Sequence, residues 1–187
     1  LMNLLKRLIR RSDGPVIAML AMALAMGAET AIGKASVPLV EGWQFHLGSL
    51  DQSPPYSVKN GAWEPVVLPH DWSIEGDFSQ DHLTQQDGGG LPAGIGWYRK
   101  SFRLGETQKN KLFFIDFDGV YRNCEIWING HYLGKRPFGY MGFRYEITPY
   151  LHFGEHENTI AVKADNSLQP NSRWYTGAPP PNTNGSA

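Results

Sequence analysis

The chain has 187 residues, 41% of them hydrophobic, which suits one domain with a true core. Lys plus Arg number 17 against 18 for Asp plus Glu, and with a net charge of -1 nothing in the composition steers the chain towards nucleic acid. The single cysteine, Cys124, excludes an internal disulfide.

The chain opens with Lys6, Arg7, Arg10 and Arg11, followed by an apolar run from Pro15 to Ala28. That run is too short for a stable membrane anchor and right for the core of an export signal. Ala28, Ala31 and Ala35 offer cleavage sites, so residues 1–35 read as a signal peptide, with a mature start between Glu29 and Val37 and no stable membrane span after cleavage. Arg10-Arg11 is not followed by the apolar residues of a twin-arginine signal, and no cysteine follows the run to carry a lipid. The expected location is the periplasm or the outside of the cell.

From Gly42 onward the signals are β. Trp43, Phe45 and Leu47 alternate, 51–61 is loop, and Trp63 to Leu68 is a short strand closed by Pro69. Between Pro69 and Gly96 no periodicity survives, and a loop of that length in a small domain is more often functional than idle. It holds His70, Asp71, Trp72, Glu75 and Asp77, with Gly88-Gly89-Gly90, which no Lys-Ser/Thr pair turns into a phosphate loop. Trp97 to Leu104 alternates, Gly105 to Asn110 is a polar turn, and the continuous apolar run Leu112 to Phe117 predicts a strand buried on both faces.

The clearest local signal comes next. Cys124, Ile126 and Ile128 lie on one face of a strand, and Asn129-Gly130 tolerates positive φ twice, predicting a type I′ hairpin back through His131, Tyr132 and Leu133. Cys124 on that aliphatic face reads as a packed thiol rather than a nucleophile. Gly142 to Ile147 is the next extended piece, ended by Thr148-Pro149-Tyr150, where Thr can cap and Pro can open a single helical turn. Asn158 to Ala164 is one more strand. About eight short strands with frequent turns, 21 glycines and 12% aromatic residues predict an all-β antiparallel sandwich.

The wording of these segments narrows the choice. FDGVYRNCEIWINGHYLGKRPFGY, FRYEITPYL, NTIAVKADNS and PNSRWYTG, with LPHDWSIEGDF and LPAGIGWYRKSF upstream, resemble the N-terminal sugar-binding domain of family 2 glycoside hydrolases, bacterial β-galactosidases above all. The resemblance runs from Gly42 to Gly177. It implies a galactose-binding-like jelly roll over residues 36–177, a β-galactoside as the carbohydrate partner, and a catalytic barrel elsewhere in a longer enzyme. After Gly177 relatives continue with a Gly-Ile-Tyr-Arg type strand, whereas Ala178-Pro179-Pro180-Pro181 opens a tail without periodicity, so 178–187 is expected to be disordered and the chain truncated.

Glycoside cleavage needs two carboxylates across the scissile bond. Asp116 and Asp118 look like such a pair, but a carboxylate couplet leading into a glycine turn is more often a solvated edge. No His/Cys cluster has zinc spacing and no Ser sits in a nucleophile elbow, so no catalytic residue is assigned. Sugar recognition by aromatic stacking and bidentate polar groups is better represented. His70-Asp71-Trp72 is one such mixture; Asp165-Asn166-Ser167 with Asn171, Arg173, Trp174 and Tyr175 is the other. Trp174 and Tyr175 read better as core, and Arg173 has a structural reading as the partner of Asp165. The resemblance implies that Asp165 reaches the catalytic pocket and helps hold sugar and a monovalent cation, the metal role assigned to it, with Asp71, Asn166 and Arg173 as further substrate-binding residues. The chain itself needs no other cofactor on this reading. The alternative readings are a stand-alone carbohydrate-binding module and a non-catalytic interaction domain.

Overall fold

A computed structural model describes residues 7–11, 35–50, 63–79, 81–82 and 90–167. The described residues form two antiparallel sheets. In the first, β1 (Arg7–Arg11), β2 (Ala35–Val37), β6 (Leu112–Phe117) and β9 (Phe143–Glu146) run in the order β2-β1-β6-β9. In the second, β3 (Trp43–Leu47), β4 (Glu64–Val66), β5 (Ile95–Arg103), β7 (Cys124–Ile128), β8 (His131–Arg136) and β10 (Glu157–Asp165) run in the order β4-β3-β5-β10-β7-β8. One helical turn, α1 (Trp72–Glu75), lies in the long connection before β5. The sheets close on a common core in which Phe113, Ile115 and Phe117 of β6 meet Phe45, Tyr98, Ile126 and Val162 of the other sheet. Each fully buried side chain of this size contributes roughly 1.5–3 kcal/mol relative to exposure.

The local signals around Asn129 translate directly. Cys124, Ile126 and Ile128 are each 0% exposed, and Asn129 and Gly130 both take positive φ, 47° and 89°. The returning strand β8 runs to Arg136, with a register shift between Ile126 and Trp127. Asn129 does more than turn the chain. Its Nδ2 donates to Tyr150 O (2.7 Å) and to Asn158 Oδ1 (2.8 Å), while its Oδ1 accepts from Thr159 N (2.8 Å). Asn158, itself 0% exposed, donates to His152 O and accepts from His152 N. The buried Asn158 amide is tolerated in an apolar sandwich because both its oxygen and its nitrogen are bonded, and the half-buried Asn129 is one of its partners.

Three expectations are corrected. The run Leu112 to Phe117 is buried on one face only: Phe113, Ile115 and Phe117 face the core, and the outward Phe114 lies under the Arg144 guanidinium, 5.6 Å from its ring. Apolar content hid the alternation there, because Phe114 is screened by a charged side chain rather than by protein interior. Thr148 does not cap its 3-10 turn; its hydroxyl accepts from Phe113 N (2.8 Å) and donates to Phe113 O (3.3 Å), pinning the turn to β6. β3 runs over Trp43–Leu47 as the alternation predicts, with Trp43 and Phe45 in the core and Leu47 51% exposed at its end. β4 is also shorter than expected and carries Pro65 on the sheet edge, where a missing N–H costs no ladder bond.

Strand β1 comes from the basic stretch ahead of the apolar run, and its backbone pairs with β6 on one side and β2 on the other, Leu8 opposite Ile115 and Val37. The apolar run itself, the 51–61 loop, Gly88-Gly89 and everything after Ser167 lie outside the described residues.

Candidate functional site

β10 is flanked by β5 and β7, so its C-terminal end shares one end of the sandwich with the start of β5 and the start of β7. Three connections therefore meet there: the long one before β5, the one between β6 and β7, and the chain leaving β10. The sequence-predicted residues that can be traced all sit at this end.

Asp165 is the last residue of β10, still paired with Ile95, rather than the first of a loop. Its N–H donates to Arg122 O (2.9 Å), and its own carbonyl accepts from Asn123 Nδ2 (3.5 Å). Oδ1 accepts from the backbone N–H of Ser167 (3.0 Å) and also from the Ser167 hydroxyl, an Asx turn that sends the chain out of the sheet. Oδ2 has no hydrogen-bond partner among the described residues. Asn166 binds the long connection before β5 at two points: its Oδ1 accepts from Gly94 N (2.7 Å) and its Nδ2 donates to Ser73 Oγ (3.1 Å) in α1.

Asp71 is used structurally. Its Oδ1 accepts from Ser73 N (3.1 Å) and caps α1, a turn the sequence did not announce because only four residues are helical. Trp72 is core, 5% exposed and stacked on Phe45 at 5.5 Å, not a platform for a ligand. The close approach requires Gly96: a Cβ there would stand 2.8 Å from both Phe45 and Trp72. Below this loop His70, 7% exposed, places Nδ1 2.7 Å from Tyr98 Oη and Nε2 3.4 Å from Glu75. Burial, then the charges of Asp71 and Glu75, push the Tyr98 hydroxyl far above its ordinary range, so it stays a phenol. These contacts tie the loop at His70 to β5 at Tyr98 and to α1 at Glu75.

Arg122 and Asn123 were not among the predicted site residues. Arg122 Nη2 donates to Ser167 O (3.1 Å), and its buried Nε has no acceptor among the described residues. The only sequence clue was a polar pair between Tyr121 and Cys124 where the strand pattern starts late. Asn171, Arg173, Trp174 and Tyr175 lie outside the described residues, so the pairing of Arg173 with Asp165 does too.

Asp116 makes a bidentate pair with Arg144, Nε to Oδ1 2.5 Å and Nη2 to Oδ2 2.9 Å, on the outside of the first sheet. No group of three or more His, Cys, Asp or Glu side chains forms a metal cluster among the described residues. Among the described residues the groups bonded to the Asp165 carboxylate are the Ser167 backbone N–H and hydroxyl.

Residues 89–177 match the family model described as glycosyl hydrolases family 2, sugar binding domain. The β-galactosidase BoGH2A of Bacteroides ovatus is 51% identical over 135 residues, covering 72% of this chain and 16% of that protein. A β-glucuronidase of Bacteroides fragilis is 35% identical over 136 residues, 73% of this chain and 17% of its own length. The crystal structure of a β-glycosidase from Bacteroides vulgatus superposes with a TM-score of 0.64 at 49% identity, covering 73% of this chain and 18% of that one. The chain thus spans less than a fifth of the length of each of these relatives.

Proposed function

The chain belongs to the sugar-binding domain family of the family 2 glycosyl hydrolases, and from that premise we propose that it serves as the N-terminal jelly roll of a β-galactosidase-type enzyme. It binds carbohydrate at the β10 end and forms part of the wall of a pocket whose catalytic carboxylates lie in another domain. The observation that carries this reading is the Asp165-Asn166 pair: Asn166 binds Gly94 and Ser73 of the connection before β5, Asp165 binds Arg122 and Asn123 of the connection before β7, and together they hold three connections in one place. Loop groups held by a rigid sheet are what sugar recognition needs, since each hydroxyl is oriented by a fixed partner. Asp165 is then the acceptor, offering Oδ2 while Oδ1 anchors its own turn, with Asn166 and Arg173 as the further substrate-binding residues. Asp71 acts one step back, by capping α1. Residues 1–35 act as an export signal that carries the enzyme to the periplasm or beyond, and its cleavage removes β1 from the sheet of the mature chain.

The match to both β-galactosidases and β-glucuronidases leaves the sugar to be found by experiment. Titration of the chain with galactose and with glucuronate, followed by tryptophan fluorescence from Trp72 beside the site, is expected to give a saturable, millimolar response to one of them. The same chain is expected to hydrolyse no aryl-β-galactoside or aryl-β-glucuronide. Turnover that survives repurification would overturn the division of labour, and no saturable response to either sugar would favour a purely bracing domain.

A further inference from the structure

The sequence contains three Asn-Gly pairs, Asn60-Gly61, Asn129-Gly130 and Asn184-Gly185. Asn-Gly is the dipeptide most open to deamidation, because glycine lets its backbone nitrogen swing onto the preceding side chain. That nitrogen attacks Asn Cγ, the side-chain amide leaves as ammonia, and water opens the resulting five-membered imide to aspartate or isoaspartate.

We infer that Asn129 is a deamidation site that the fold closes, and that its product cannot rebuild the hairpin. In the folded chain the Asn129 carboxamide is gripped on both ends. Nδ2 donates to Tyr150 O and Asn158 Oδ1, Oδ1 accepts from Thr159 N, and the backbone N–H donates to Thr159 O at 2.9 Å. Attack by the Gly130 nitrogen requires the side chain to rotate out of all three side-chain bonds, so reaction waits for local opening. After reaction the grip turns against the fold. A carboxylate has no N–H, so at aspartate 129 it would face Tyr150 O and Asn158 Oδ1 as acceptor against acceptor, at positions 2.7 and 2.8 Å from the lost nitrogen. Isoaspartate is worse, since its extra backbone methylene destroys a turn in which both central residues have φ above zero. Chains that dwell unfolded are thereby withdrawn from the pool that can refold.

The test is peptide mass analysis with isoaspartate detection after parallel incubation of the full chain in buffer and in urea at mildly alkaline pH. Deamidation at Asn129 is expected to be at least about tenfold slower in buffer than in urea. Asn60 and Asn184, in the same digest, verify that the urea arm is unfolded by reacting there alongside Asn129. Asn129→Asp, refolded from urea beside the parent chain, is expected to recover less native near-ultraviolet signal and to melt lower. Equal rates at Asn129 in the two arms, or an Asn129→Asp chain that refolds and melts like the parent, would overturn the inference.

Discussion

Asn166 and Gly94 bind each other twice: the Asn166 backbone N–H donates to Gly94 O at 3.0 Å, and the Gly94 N–H donates to Asn166 Oδ1 at 2.7 Å. The pair is the seam between the chain entering β5 and the chain leaving β10. Asn166→Ala keeps the first bond and removes the second together with the bond to Ser73. Leaving a part-buried N–H unpaired costs about 1–3 kcal/mol. The melting temperature is expected to fall and sugar affinity with it; a variant that melts like the parent but loses affinity would make Asn166 a direct ligand rather than a seam.

Asp165→Asn separates charge from shape. Oδ1 remains to accept from Ser167, so the Asx turn and the fold are expected to survive. The acceptor strength of a carboxylate toward a sugar hydroxyl is lost, on the order of 1.5–3 kcal/mol, so kcat/KM of the full-length hydrolase should drop about 10- to 100-fold. Unchanged kinetics in a destabilised protein would mean that the turn is the whole role of the residue.

Cys124 is expected to be inert in the folded chain. Burial pushes its thiol from the ordinary 9.0 up to about 12, with backbone hydrogen bonding at Arg136 opposing the shift. Thiol reagents should label it only after denaturation. The linkage has a sign: an unfolded thiol ionises near 9.0 while the folded one stays protonated, so stability is intact below pH 9.0 and declines as pH rises towards about 12. Cys124→Ala should remove that part of the alkaline loss, which paired melts of the two proteins would reveal.

A chain beginning at residue 36 lacks β1. The β6 backbone edge that pairs with Arg7–Arg11 is then open, and an open edge recruits other strands. Light scattering is expected to show more self-association for this chain than for the full one. Equal scattering would mean that β1 does not protect the edge.

What the sequence determined by itself was local. The alternation of Cys124, Ile126 and Ile128 needs only the two-residue period of a strand, and Asn129-Gly130 needs only its tolerance of positive φ, so both are legible without neighbours. Family motifs located Asp165 and Asn166 for the same reason, as words rather than as contacts. Everything that depends on what lies across the sandwich was decided by tertiary structure. Phe114 is outward because Arg144 of β9 covers it, and Thr148 bonds Phe113 because its turn lands on β6. Asp71 caps α1 through Ser73 N, and Arg122 reaches Ser167 only because β7 and β5 flank β10. Hydrogen bonds between distant segments depend on strand order, and strand order is set by burying all the apolar faces at once, which no window along the chain contains.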